Sequence, residues 1–164
     1  MTRIFVGADH AGFGLKEKLI PYLLELGYEV KDCGAYEYNE EDDFPDFIIP
    51  VAREVSQHSN DTKGIILGGS GQGEAMAANK FNNVRAAVFY GERHYLASET
   101  EEENESIISI TRADNDSNVL ALGARFITEE EMREAVREWL ETPFKNSDKY
   151  VRRNNKMSHI NESR

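Results

Sequence analysis

Short apolar runs alternate with segments of helical periodicity along almost the whole chain, and this alternation restricts the fold more than any other feature. Five runs have the length of buried strands, at residues 3–7, 28–33, 64–67, 84–89 and 118–122. Strands separated by helices pair in parallel through right-handed crossovers, which place helices on both faces of the sheet. The sequence therefore predicts an α/β fold: a single Rossmann-like three-layer domain with a five-stranded, mostly parallel sheet.

The helical segments carry their own start and stop signals. Leucines at positions 15, 19, 23 and 26 recur at helical spacing, and Gly27 marks the end of that helix. Residues 72–80 predict a short helix, and a longer helical stretch is expected after residue 89. Thr128 and Glu131 stand at the spacing of a capping box, which predicts the start of a further helix.

Composition excludes several classes of function. The 164 residues suit one domain, and a formal net charge of -11 argues against nucleic acid or an anionic membrane as the main partner. All apolar runs are too short to span a membrane. The single cysteine, Cys33, cannot form an internal disulfide, so we expect a reducing compartment and a cytoplasmic location.

Three junctions between elements, at residues 7–12, 68–74 and 111–118, have unusual compositions, and ligands of parallel sheets gather where strands end. In the second junction, glycines flank Ser70 and let backbone N–H groups approach an anion. Glu74 follows in the first helical turn, where a carboxylate is a poor phosphate ligand but a suitable base beside an oxyanion hole. A purely structural glycine turn explains these residues about equally well.

The C-terminal tail carries a basic stripe. Its four cations have the spacing i, i+3, i+4 and i+7, which places them on one face of a helix: Lys149, Arg152, Arg153 and Lys156. The stripe suits an anion such as phosphate, although a solvated tail is the simpler explanation. We predict that residues 1–142 form the α/β domain. The tail, residues 143–164, has little apolar content and is expected to be helical and to dock on a partner subunit.

The remaining reactive residues support neither a metal nor a cofactor. The histidines at positions 58, 94 and 159 lack metal-ligand spacing, and one cysteine offers no zinc cluster. Ser70 lacks the pattern of a nucleophile elbow. His10 follows Asp9 at a predicted strand end, which indicates ligand contact rather than a local helix-start role. The acidic residues 99–105 are most simply an exposed face.

Several motifs in the same order are similar to those of the type B ribose-5-phosphate isomerases and the related galactose-6-phosphate isomerase subunits. The resemblance covers residues 1–156 and rests on residues 7–12, 32–34, 43–45, 64–80, 115–120 and 123–125. It implies a homodimer or homotetramer with shared active sites. It also implies an aldose-ketose isomerase that converts ribose 5-phosphate to ribulose 5-phosphate through an enediolate. The alternatives are a six-carbon aldose phosphate, such as galactose or allose 6-phosphate, and a catalytically silent sugar-phosphate-binding subunit.

The resemblance also implies roles for individual residues. Glu74 is the base, and Ser70 holds the substrate oxygen beside it. The other substrate contacts comprise anion-hole amides, ligands of sugar hydroxyls and ligands of the phosphate: Gly69, Gly71 and Gly73; Asp9 and Asn115; His10, Arg125, Lys149 and Arg153.

The chain departs from the pattern of these isomerases at three places. Asp114, which we count among the catalytic residues, stands where most members have a histidine that is associated with opening the sugar ring. Lys149-Tyr150 stands where an Arg-His pair is common. The stretch from Arg93 to Thr111 is also longer than the pattern predicts. At a further position members differ among themselves, since some carry a catalytic cysteine where this chain has Gly68.

Overall fold

The computed structural model describes residues 2–92 and 105–158, which form one sheet of five parallel strands in the order β2-β1-β3-β5-β4. The strands are β1 Arg3–Ala8, β2 Glu29–Asp32, β3 Thr62–Gly68, β4 Ala86–Phe89 and β5 Val119–Gly123. The predicted α/β class and five-stranded sheet are confirmed, and every pairing is parallel. Among the described helices, none is both long and apolar enough to cross a membrane.

Within the described ranges, six helices connect or follow the strands. They are α1 His10–Glu25, α2 Pro45–Gln57, α3 Gln72–Ala78, α4 Ile107–Ala113, α5 Glu129–Glu141 and α6 Asp148–Ser158. Gly27 follows α1 with a φ of 87°, the left-handed conformation that ends many helices. The capping box at Thr128 and Glu131 forms as predicted. Residues 93–104, which contain most of the predicted long helical stretch, lie outside the described residues.

Two apolar cores lie on opposite faces of the sheet, because successive residues of a strand point to opposite sides. Ile65 and Leu67 of β3 pack with α1 and α5, whereas Ile66 packs with α2 and α3. Trp139 of α5 is fully buried, and its indole N–H donates to Ser117 Oγ at 2.8 Å. The structure is therefore the three-layer sandwich that the sequence predicts.

The neighbouring strands β1 and β3 send their helices to opposite faces. The helix after β1 is α1, which joins one core, and the helix after β3 is α3, which joins the other. A crevice opens between diverging helices of this kind, outside the carboxyl ends of the two strands. Ala8 of β1 pairs with Leu67 of β3, and Gly68 pairs with Gly123 of β5, so the three strands end at the same level.

The capping box of α5 yields a stability prediction. Thr128→Ala removes the side-chain acceptor for the backbone N–H of Glu131, and we expect the free energy of unfolding to fall by about 1 kcal/mol. Urea denaturation measures this change. Glu134→Ala, an exposed position on the same helix, is the control and should change the value by less than about 0.5 kcal/mol. Equal stability of Thr128→Ala and the wild type would contradict a stabilising role for the cap.

Candidate active site

The carboxyl edge of the sheet brings together most of the residues that the sequence predicted for the site. Each group directly follows one of the three central strands, and the strands end at the same level. The groups are Asp9 and His10 after β1; Gly69, Ser70, Gly71, Gly73 and Glu74 after β3; and Arg125 after β5.

Glu74 lies at the bottom of this crevice, directly against the backbone of Gly68. The residue is 4% exposed although it is ionisable. A Cβ atom added at Gly68 would lie 1.8 Å from the Glu74 Oε1 atom and 2.1 Å from Cδ, much closer than atoms can approach. A side chain at position 68 would therefore displace the Glu74 carboxylate, which occupies that space.

The surroundings of Glu74 favour its neutral form. Burial raises the pKa of the carboxyl above its usual 4.5, and the negative charge of Asp9 raises it further. A hydrogen bond with its own backbone N–H opposes these effects. A carboxyl group whose pKa moves toward neutrality can both accept and return a proton, which is what a general acid-base catalyst does.

The glycine loop between β3 and α3 is fixed from beneath by the turn after β5. The backbone N–H groups of Ala124 and Arg125 donate to the carbonyl oxygens of Gly68 and Gly69, at 2.8 and 3.1 Å. The guanidinium of Arg125 lies so close to Gly69 that an added Cβ would be 3.4 Å from its Nη1. This packing places a positive charge beside the loop.

Two further features of the loop suit an anion or a polar substrate. Gly71 has a φ of 75° and precedes α3, a left-handed conformation that turns the chain into the helix. Ser70 is exposed, and its Oγ accepts a hydrogen bond from the backbone N–H of Gln72 at 3.3 Å. The hydroxyl is thus available at the surface of the crevice, next to the buried Glu74.

His10 contacts Asp42, a residue that the sequence did not single out. The Nδ1 atom of His10 lies 2.6 Å from Asp42 Oδ1, and the backbone N–H of His10 donates to the same oxygen at 3.1 Å. Asp9, the N-cap of α1, also approaches His10 Nδ1, at 4.0 Å. The three residues offer potential metal-ligating atoms within 4.8 Å of one another, although the sequence predicted no metal here.

Asp42 escaped sequence reasoning because it belongs to an acidic loop in which every carboxylate looks solvated. Asn39 to Asp43 contains four consecutive carboxylates, and Asp42 lies 32 residues from its partner. The feature that could have identified Asp42 is the position of its loop, which follows β2 and therefore lies near the end of the neighbouring strand β1.

The third unusual junction does not join the site within the chain, which corrects the grouping of the three junctions. Residues 111–118 precede β5 rather than follow a strand, so they lie at the amino edge of the sheet. Val119 is level with Gly64, and Gly123 is level with Gly68. Four residue-to-residue steps along the strand therefore separate the two levels by about 13 Å.

Asp114 and Asn115 accordingly lie away from Glu74 of the same chain. The carboxylate of Asp114 is 3.1 Å from the Nζ atom of Lys145, which also contacts Glu105 at 3.1 Å. Partial burial disfavours the charged form of Lys145, but hydrogen bonds with Asp114 and Glu105 outweigh it and raise its pKa above the usual value. Asp114 is thus held as one partner of an ion pair.

The basic tail lies at this same amino edge. Asn154 of α6 donates to the backbone carbonyl of Asp114 at 3.4 Å, which connects the helix to the end of α4. The ring of Tyr150 has Lys145, Lys149 and Arg153 at 5.6, 4.6 and 5.9 Å from its centroid. Lys149 and Arg153 are exposed, so the tail presents cations to whatever approaches this edge.

Comparisons with known proteins agree on one family. A family model described as Ribose/Galactose Isomerase matches residues 4–157. Ribose-5-phosphate isomerase B of Mycolicibacterium paratuberculosis is 34% identical over 151 residues, which cover 92% of this chain and 86% of the relative. The enzyme of the same name from Escherichia coli K12 is 36% identical over 140 residues, covering 85% and 84%.

A solved structure gives the same result at the level of the fold. The crystal structure of ribose-5-phosphate isomerase B from Mycoplasma genitalium with bound ribulose-5-phosphate superposes with a TM-score of 0.87 at 30% sequence identity. The match covers 99% of this chain and 98% of that chain.

The buried carboxylate of Glu74 yields a prediction on stability. Because its pKa is raised in the folded state, its ionisation opposes folding above that pKa and has no effect below the unfolded value of about 4.5. We expect Glu74→Gln, which resembles the neutral form, to be more stable than the wild type at pH 8 and similar at pH 4. Urea denaturation at the two pH values tests this, with the exposed Glu40→Gln as control. A destabilised Glu74→Gln at pH 8 would contradict the assignment.

Proposed function

The chain belongs to the ribose/galactose isomerase family, and from this premise we propose that it interconverts ribose 5-phosphate and ribulose 5-phosphate through an enediolate. The observation that carries the proposal is the carboxylate of Glu74, buried against Gly68 beside a glycine loop. A protein that only bound sugar phosphates would gain nothing from a buried carboxylate beside an anion site, since the carboxylate repels the ligand.

The proposed reaction moves one proton between two carbon atoms. Glu74 takes the proton from C2 of the open-chain aldose, and the electron pair of that C–H bond forms the enediolate with the C1 carbonyl. The hydroxyl proton on the C2 oxygen passes to the C1 oxygen, and the protonated Glu74 returns its proton to C1, which leaves the ketone at C2. The raised pKa of Glu74 supports both halves, because the group must be a carboxylate before the first transfer and an acid before the second.

The charge of the enediolate needs donors that are already in place. Backbone N–H groups of Gly69, Gly71 and Gly73 and the hydroxyl of Ser70 are the proposed donors, on a loop held by hydrogen bonds to the turn after β5. Donors fixed before the reaction stabilise developing charge without reorganisation. These steps call for neither a metal ion nor a nucleotide.

We further propose that two copies of the chain complete each site. His10 and Arg125 lie at the carboxyl edge with Glu74, whereas Asn115, Lys149 and Arg153 lie at the amino edge of the same chain. A two-fold dimer that sets the carboxyl edge of one copy against the amino edge of the other brings these groups together twice. The exposed cations of α6 would then reach the phosphate of a substrate bound to the partner.

A second substrate class follows from the environment of Asp114. Sugar phosphates with five or six carbons cyclise, and a histidine opens the ring readily because its pKa lies near neutrality. Asp114 is instead an ion-pair partner of Lys145, which favours substrates with a larger open-chain fraction or another group for ring opening. A panel of five- and six-carbon aldose phosphates distinguishes the two classes. The cytoplasm stays the predicted location, supported by the lone Cys33.

The role of Glu74 is tested by its amide. Glu74→Gln keeps the shape of the side chain but cannot accept the proton, so we expect turnover of ribose 5-phosphate to fall by about 10²-fold or more. Ketose formation is assayed in the presence of a metal chelator, which the wild type should tolerate. Glu40→Gln should retain full activity. A folded Glu74→Gln protein with nearly unchanged turnover would show that Glu74 is not the base.

The shared site is tested by mixing two defective variants. Glu74→Gln damages the carboxyl edge, and the double change Lys149→Ala with Arg153→Ala damages the amino edge. After subunit exchange, half of the dimers are mixed and each has one intact site, so activity should recover to about a quarter of the wild type. If each site lies within one chain, the mixture stays as inactive as its components.

A further inference from the structure

We propose that Asp42 is a positioning residue that keeps the His10 imidazole protonated and oriented for the phosphate of the substrate, an inference that rests on the proposed function. One carboxylate oxygen, Oδ1, binds both the Nδ1 atom and the backbone N–H of His10. The Asp42 carboxylate is thereby bound to His10, the first residue of α1, at two points, which restricts rotation of the imidazole ring. With Nδ1 bound to Asp42, Nε2 is the nitrogen that remains to bind an anion.

The burial of Asp42 requires a positive partner. Its side chain is 7% exposed, and within residues 2–92 and 105–158 its Oδ2 atom is buried without a hydrogen bond. A buried carboxylate with an unpaired oxygen is costly unless a nearby charge compensates it. At 2.6 Å from Oδ1, protonated His10 supplies that charge, whereas neutral His10 would leave the carboxylate uncompensated.

Burial and the charge of Arg125 explain why such a partner is needed. A substrate phosphate calls for several cations at one place, but burial lowers the pKa of His10, and the positive charge of Arg125 lowers it further by a smaller amount. The hydrogen bond with Asp42 is the largest effect in the opposite direction, and the charges of Asp9 and Asp42 add to it, so the pKa of His10 lies above its usual 6.5. The Tyr38 ring packs edge-on against the His10 ring, with 6.4 Å between the ring centroids, and so adds a packing contact rather than a charge.

The direction of this pKa shift defines the pH range in which Asp42 affects the charge of His10. Below the usual pKa of 6.5, His10 is protonated with or without its partner. Above it, the positive charge depends on Asp42 and is lost as the pH rises through the raised value. Loss of Asp42 should therefore weaken anion binding at mildly alkaline pH and leave it almost unchanged at acidic pH, whereas a merely structural residue would matter at both.

The first test observes His10 directly in the full protein. The ring signals of the four histidines are followed by NMR from pH 5 to 9, and His10 is assigned by the signal that is missing in His10→Gln. We expect the pKa of His10 to fall toward 6.5 in Asp42→Asn and to stay in place in Glu41→Gln, which removes one charge from the same loop at an exposed position. An unchanged pKa in Asp42→Asn overturns the proposal.

The second test measures anion binding with sulfate, which keeps its double charge over this range of pH. We expect Asp42→Asn to weaken sulfate binding about five- to tenfold at pH 7.5 and less than about twofold at pH 5.5, the size of a lost charge-assisted contact. The KM for ribose 5-phosphate should rise at pH 7.5 in parallel, with kcat within about threefold of the wild type. A loss of equal size at both pH values would show that Asp42 does not act through the charge of His10, which overturns the proposal.

Two controls distinguish this proposal from the alternative explanations, which are an effect of side-chain packing and a bound cation. Asp42→Ser removes the same charge with a smaller side chain and should reproduce the pKa change of Asp42→Asn, which excludes an effect of amide packing. A chelator should leave the His10 signal unchanged, since a response would assign Asp9, His10 and Asp42 to a bound cation and overturn the proposal. If the protein shows no isomerase activity while the pKa and sulfate results hold, only the proposed function fails.

Discussion

The register of the three central strands is the constraint on which the site depends. Because Ala8 is level with Leu67 and Gly68 with Gly123, the residues that follow β1, β3 and β5 meet at one edge. A slip of one residue in β3 would move Ile66 into the opposite core and separate these groups at the same time. The apolar pattern of the strands that builds the two cores thus also determines which polar groups become neighbours.

The fold and half of the site follow from patterns that act over short distances. Apolar periodicity predicts each strand, and the rule that ligands gather at strand ends predicts Asp9, Glu74 and Arg125 together. The same rule does not apply to residues 111–118, because they precede the predicted strand at residues 118–122 and therefore lie at the opposite edge of the sheet. The contact between His10 and Asp42 was missed because it depends on a loop whose path no periodicity describes.

The segment that leads from β2 to that loop is held by a charge inside the fold. Lys16 of α1 is fully buried, binds Asp32 at 2.7 Å and lies over the rings of Phe13 and Tyr36. Asp32 in turn accepts from the backbone N–H of Gly34, where the chain leaves β2. A buried ion pair is weak evidence for stability but defines geometry well, since removing one partner leaves the other uncompensated. The path toward Asp42 therefore begins at a lysine in the core.

The contact between Gly68 and Glu74 also restricts how the reactive residue of such a site can be replaced during evolution. The two positions share one volume, which holds a single reactive side chain, here a carboxylate. A chain that exchanged this carboxylate for a thiol at position 68 would need two substitutions. Enlarging residue 68 first displaces the Glu74 carboxylate, and shortening residue 74 first removes the proposed base. Either order of the two substitutions passes through an intermediate sequence with impaired function. Natural selection therefore disfavours the change from a carboxylate at position 74 to a thiol at position 68.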